Sequence, residues 1–139
     1  MPYLTVRDID TFFDRAGTGA PLLAISGSRG DLRRKPNLLE SPLSKSFDVL
    51  AYDQRGLGRT SKPDKAYLIA DYADDAAALL DAVGWQRVRV VGVSFGGMVG
   101  RTGTAASGPS EQTRALLYFA RRRRRIIIPA PYVADSLRG

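Results

Sequence analysis

The stretch Arg87-Val88-Arg89-Val90-Val91-Gly92-Val93-Ser94-Phe95-Gly96-Gly97-Met98 decides how this chain is read. Its first half is rich in valine, as a strand buried on both faces should be. Its second half is a turn of small residues with one serine between glycines. A serine at the carboxyl end of a buried strand is a candidate nucleophile, and such a serine ordinarily takes its base from a histidine. The chain has 139 residues and no histidine. The turn is therefore a catalytic motif, the remains of one, or a plain Gly-rich turn.

Working outward, other segments repeat the pattern. Thr11 to Gly17 reads as a short strand ending in the turn "GTGAP". Pro21 to Gly27, "PLLAISG", and Phe47 to Asp53, "FDVLAYD", read as buried strands. "NLLESPLSKSF" supplies a short helix interrupted near Pro42. Asp71 to Gly84 places Tyr72, Ala76, Leu79, Leu80 and Val83 on one helical face, and Gly84 is suited to end it. Alternating strands and helices in this order predict an α/β fold with a mostly parallel sheet and crossover helices. Ligand sites in such sheets lie beyond the carboxyl ends of the strands. Three loops rich in Gly and small polar residues share that edge: "SGSRGD", "DQRGLGRTS" and "GVSFGG".

Nucleotide-binding readings of these loops fail on spacing. "GVSFGG" does not match G-x-G-x-x-G, and no G-K-[ST] follows it. "GLGRTS" contains a G-x-G but opens no helix at once.

The three loops together resemble the amino-terminal half of the α/β-hydrolase fold family. Gly92-Val93-Ser94-Phe95-Gly96 resembles the G-x-S-x-G nucleophile elbow, placed after a strand as that motif requires. "YDQRGLGRTSKPD" resembles the family's D-x-R-G-x-G-x-S loop. "ISGSRGD" stands where the family has its oxyanion loop, H-G-x-x-G, with Ser26 in place of the histidine. The resemblance covers residues 1–100 and implies a role for each matching position. Ser94 would be the nucleophile, with the backbone N–H groups of Phe95 and Ser28 as oxyanion donors. Gly27, Gly56, Gly58, Gly92, Gly96 and Gly97 would shape the turns. Asp53 and Arg55 would order the loop beside the elbow, with substrate binding by Arg55 as the alternative. The implied reaction is hydrolysis of small ester- or lactone-like substrates through a Ser94 acyl-enzyme, without cofactor.

The family supplies its acid and its histidine after the serine. After Ser94 the carboxylates are Glu111 and Asp135, and the last lysine is Lys65. The sheet is accordingly expected to be partial, truncated after the elbow helix. Complete triad catalysis by this chain alone is not expected. A noncatalytic binding protein, or one completed by a separate carboxyl-terminal fragment, is the alternative.

With neither histidine nor cysteine, no transition-metal site is expected. The amino terminus lacks a long apolar core, so a signal peptide or membrane anchor is not expected, and a cytoplasmic location is.

The net charge of +7 is unevenly spread. Residues 1–100 carry 13 Lys/Arg against 12 Asp/Glu, whereas residues 101–139 carry 8 Arg against Glu111 and Asp135. Arg121 to Arg125 form one run with little aromatic interleaving, so specific nucleic-acid recognition is not expected. Residues 101–139 form an atypical basic tail, read as disordered or frame-shifted. "RTGT" can be encoded by bases that give "AQEL" one base later, a run usual in the family's elbow helix. "RRRRRIIIPAPY" can be encoded by bases giving a Gly/Ser tract in that same shifted frame. The two tracts agree on a change of frame near Gly100.

Overall fold

The computed structural model describes residues 2–27, 29–85, 88–93, 95–99, 113–121 and 124–127, the last two segments as backbone. Seven strands form one sheet in the order β1-β2-β4-β3-β5-β6-β7. The strands are β1 (Tyr3–Val6), β2 (Ile9–Ala16), β3 (Ala20–Ile25), β4 (Phe47–Tyr52), β5 (Val88–Val93), β6 (Thr113–Arg121) and β7 (Arg124–Ile127). Between β4 and β5 lies the helix α1, Ile69–Val83.

The buried runs form the parallel heart of the sheet. β3 is flanked by β4 and β5, parallel to both. Alternation along these strands builds two apolar layers. Leu23, Ile25, Leu50, Tyr52, Val88 and Val90 face one side with Ala73, Ala76 and Leu79 of α1. Leu22, Ala24, Val49 and Ala51 face the other with Leu39.

Helix α1 starts two residues before the expected Asp71. The Asp71 carboxylate accepts a hydrogen bond from the Leu68 amide at 2.9 Å, which satisfies one exposed donor of the first turn. That bond holds the Asp71 pKa below the usual carboxylate range. Gly84 ends the helix in the left-handed region at φ 77°, and its amide donates to Leu80 and Asp81 carbonyls. Ala76 and Leu79 of the expected face are buried, and Tyr72, Leu80 and Val83 pack beside them.

Three expectations need correction. A strand hairpin opens the chain: β1 pairs antiparallel with β2 across Arg7 and Asp8, and β2 pairs antiparallel with β4. The expected short helix is two 3₁₀ turns, Leu38–Glu40 and Pro42–Lys45. Pro42 disfavours helical backbone at the residue before it, and Ser41 is extended at φ −74°, ψ 163°. The sheet also does not end at the elbow. β6 lies parallel to β5 from Val88↔Thr113 to Val93↔Tyr118, and β7 returns antiparallel on β6. The β6 sequence, Thr113 to Arg121, is rich in the aromatic and apolar residues that suit a strand. Among the described residues, no helix is long and apolar enough to cross a membrane.

Candidate active site

The carboxyl ends of β3, β4 and β5 point to one edge, and the three quoted loops leave from it. Strand β5 ends at Val93, and helical backbone resumes over residues 95–99. Ser94 and Ser28, the predicted nucleophile and one predicted oxyanion donor, lie outside the described residues, so the site is built from what surrounds them.

The glycines explain how helix and sheet come so close. A Cβ on Gly92 would overlap the Gly96 carbonyl and the Gly97 amide. A Cβ on Gly96 would overlap the carbonyls of Ile25 and Ser26, at the end of β3. Gly92, Gly96 and Gly97 are all buried. The start of the 95–99 helix is thereby seated on the origin of the "SGSRGD" loop. Phe95 turns its ring onto Tyr72 of α1, edge to face at 4.9 Å between centroids.

The "SGSRGD" loop folds tightly. The Gly30 amide donates to the Gly27 carbonyl at 3.0 Å, and a Cβ on Gly30 would run into the Ser26 side chain. Two buried residues of the neighbouring "DQRGLG" loop tie it down from both ends. The Gln54 side-chain amide donates to the Ser26 carbonyl at 2.9 Å. The Asp53 carboxylate accepts from the Leu32 amide at 2.8 Å. The other Asp53 oxygen accepts from the Arg59 amide at 3.0 Å, closing its own loop. Gly56 and Gly58 make that loop passable, with φ of 77° and 52°. A Cβ on Gly58 would strike the Asp53 carboxylate, and one on Gly56 the Tyr67 ring.

Arg55 follows Asp53 closely in sequence but points elsewhere. Its side chain is 0% exposed, and that of Asp75 on α1 is 4% exposed. Arg55 donates Nε–H to Asp75 Oδ2 at 2.6 Å and Nη2–H to Asp75 Oδ1 at 2.8 Å. Its Nη2 also donates to Asp8 in the β1–β2 turn at 2.8 Å. Hydrogen bonds to Asp75 push the Arg55 pKa above its ordinary value, against the opposing effect of burial. The bond from Arg55 holds the Asp8 carboxyl well below the usual carboxylate range. Arg55 thus links three elements, the "DQRGLG" loop, α1 and the β1–β2 turn.

Sequence reading missed Gln54, Asp8 and Asp75. For Asp75 a signal existed: it sits within the apolar stripe, three residues after Tyr72 and four before Leu79. A carboxylate at such a position needs a buried partner.

Beside the loop a cavity of about 330 Å³ opens, lined among others by Ser26, Gly27, Leu32, Leu38 and Val93. Ser26 Oγ is buried there without a hydrogen-bond partner among the described residues. The arrangement therefore offers a small, mostly apolar chamber at the strand ends, reached by Val93, the last residue of β5. Among the described residues no cluster of acidic side chains could hold a metal ion.

Comparison with known proteins places this geometry. A family model described as the alpha/beta hydrolase fold matches residues 21–111. Among curated proteins, "Putative carbamate hydrolase RutD" of Azorhizobium caulinodans is 32% identical over 100 residues, covering 72% of this chain and 37% of its own. Among solved structures, Est816, described as an N-acyl homoserine lactone degrading enzyme, superposes with TM-score 0.69 at 28% identity. It covers 84% of this chain and 44% of its own. A membrane phospholipase A, described as a bacterial virulence factor, superposes with TM-score 0.73 at 29% identity, over 88% of this chain and 41% of its own. The chain thus spans less than half the length of each relative. With the elbow glycines and both companion loops in place, the chain belongs to the α/β-hydrolase fold family.

Proposed function

We propose that this chain is the nucleophile-bearing half of a serine hydrolase acting on small ester- or lactone-like substrates. The observation that supports it best is the seating of the 95–99 helix on the end of β3 through Gly92 and Gly96. That contact brings the end of β5 and the start of the 95–99 helix beside the clamped "SGSRGD" loop. In the proposed reaction Ser94 Oγ bonds to the acyl carbon and its proton passes to a base. The alcohol or lactone oxygen leaves and is protonated. Water then repeats the attack on the acyl-enzyme and releases the acid. The N–H groups of Phe95 and Ser28 would meet the oxyanion, each worth about 2.7–4 kcal/mol in the transition state.

The base is the missing part. The chain has no histidine, and a serine hydroxyl without a general base is a poor nucleophile at neutral pH. Turnover by this chain alone is expected to be negligible, and the acid and histidine would come from a separate carboxyl-terminal segment. That same absence favours a second reading, a protein that binds in the chamber without chemistry. A fluorophosphonate probe distinguishes the two. Labelling that disappears in Ser94→Ala supports an activated elbow. A folded chain that stays unlabelled even when complemented by a carboxyl-terminal hydrolase segment supports the noncatalytic reading.

A further inference from the structure

The carboxyl ends of the parallel strands form a basic edge. β6 runs parallel to β5, and their pairing reaches Val93↔Tyr118. β6 continues from Tyr118 to Arg121, which carries it about 10 Å further at the usual rise per strand residue. β7 returns from that tip with Arg121 opposite Arg124, and Arg122, Arg123 and Arg125 complete the run in sequence. The hairpin thus takes its arginines past the end of β5, on the edge from which the "SGSRGD" and "DQRGLG" loops also leave. Those loops add Arg29, Arg34 and Arg59, all exposed.

The chain has little to neutralise this charge. Residues 101–139 hold 8 Arg against Glu111 and Asp135. In the loops, Asp31 is paired with Arg33 at 2.7 Å, and the Asp53 oxygens accept from the Leu32 and Arg59 amides. Like charges directly opposite on neighbouring strands are destabilising, so the Arg121↔Arg124 register favours a bound anion.

Width decides the kind of anion. β4, β3, β5, β6 and β7 lie side by side, so the edge from β4 to β7 is about 19 Å wide at the usual strand spacing. That is too wide for one small anion and suits an extended surface of phosphates. Nucleic acid and anionic membrane both offer one. β7 passes from Arg124 and Arg125 directly into Ile126 and Ile127, aliphatic residues that suit a lipid interface and offer no ring for stacking bases. Nucleic acid also lacks the acyl ester on which the proposed Ser94 reaction acts. Resting on that reaction for the choice of lipid, we infer that the basic edge docks on an anionic lipid–water interface and presents the site to acyl esters within it.

Vesicle flotation with the full chain tests this, because aggregates do not float. The vesicles are phosphatidylcholine alone, or phosphatidylcholine with about 30% of the anionic lipid phosphatidylglycerol. The chain should float with the anionic vesicles only, and salt should release it. Arg34→Gln should weaken the binding about fivefold, the share of one basic residue near an anionic surface. Lys45→Gln changes an exposed cation just before β4, at the opposite edge, and should leave binding unchanged. Arg121→Gln/Arg124→Gln/Arg125→Gln should abolish it with the circular dichroism spectrum retained. Equal flotation with neutral vesicles would overturn the inference. So would equal weakening by Lys45→Gln and Arg34→Gln, because net charge and not this edge would then bind. So would a single-stranded oligonucleotide that, at equal phosphate, strips the chain from the vesicles, because the partner would then be a nucleic acid. Flotation without fluorophosphonate labelling of the complemented protein would leave the docking surface standing and count against the proposed reaction. Labelling without flotation would do the reverse.

Discussion

Replacing Asp75 with asparagine tests whether the Arg55–Asp75 pair holds the amino-terminal hairpin, the "DQRGLG" loop and α1 together. Asp75 accepts three charged hydrogen bonds: two from Arg55 at 2.6 and 2.8 Å and one from Arg7 at 3.0 Å. Asparagine preserves the volume but removes the charge, and its NH₂ group faces guanidinium donors. Arg55 is then left with Asp8, whose side chain is 45% exposed and shared with Lys65. Breaking a buried ion pair from one side costs about 3–5 kcal/mol. Domains are stable by only about 5–15 kcal/mol, so the variant loses a large share of its stability. Asp8→Asn should lose far less, because water screens that carboxylate. The double variant Arg55→Met/Asp75→Leu removes both charges together and should recover most of the loss. Urea unfolding followed by far-ultraviolet circular dichroism and by Trp85 fluorescence reports all four proteins. Trp85 packs against the same apolar cluster, with Arg15 5.0 Å above its ring. A cost for Asp75→Asn below about 1 kcal/mol, outside the range for a broken buried pair, would refute the reasoning. So would a double variant no more stable than Asp75→Asn.

Other predictions use the same measurement. Gly84→Ala meets no atom within 4 Å, so only its φ of 77° is penalised, and the cost should be about 1–2 kcal/mol. Gly96→Ala should cost more despite ordinary helical propensity, because its methyl group meets two backbone carbonyls of β3; a smaller loss than for Gly84→Ala would contradict the elbow packing. Acid should destabilise the fold in a defined window. The Arg33 hydrogen bond lowers the Asp31 pKa to about 2 from 3.8, and Asp8 and Asp71 are also lowered. A lowered folded-state pKa gives stability that is complete above the unfolded value and lost as pH falls through the folded one. Denaturation midpoints should therefore hold steady down to about pH 4 and decline towards pH 2; a rise on acidification would be inconsistent with these pairs. The frame-change reading predicts that DNA past the codon for Gly100, read one base later, encodes a hydrolase carboxyl half with an acid and a histidine. A locus in which no frame does so would remove that reading.

The parts legible in the sequence were those that declare themselves locally. "PLLAI" and "FDVLAY" run into stretches buried on both faces, and "VRVVGV" is a valine-rich run whose residues alternate between buried and half-buried. The α1 pattern repeats at helical spacing and stops at a glycine that the structure holds at positive φ. The opening hairpin was missed because its two-residue connection, Arg7-Asp8, is not among the usual Gly-containing turns. Arg7 nevertheless adopts φ 55°, and its guanidinium bonds Asp75 on α1. That contact spans 68 positions and has no local trace. The backbone pairing of β6 is hidden for a different reason: "TRALLYFA" stands between a segment rich in Gly, Ser and Thr and the run Arg121 to Arg125, which mask its strand-forming apolar residues.

The division between local and distant contacts also bears on the missing histidine. Each described group that shapes the nucleophile turn and the facing loop comes from residues before Gly100. Gly92 and Gly96 admit the helix to the end of β3, Gln54 holds Ser26, and Asp53 holds Leu32. These contacts join backbone to backbone or buried side chain to backbone, and none uses a base. A proton acceptor is a different kind of part. It must reach the serine from outside these strands, so it can come from chain far away in sequence. The amino-terminal half can therefore be organised for acyl transfer without being able to perform it. If so, Gln54→Leu should slow fluorophosphonate labelling of the complemented protein while leaving its far-ultraviolet circular dichroism unchanged, since the Gln54 bond holds the Ser26 loop and not the strands. A change in the far-ultraviolet spectrum with labelling intact would show that Gln54 supports the sheet and not the oxyanion loop.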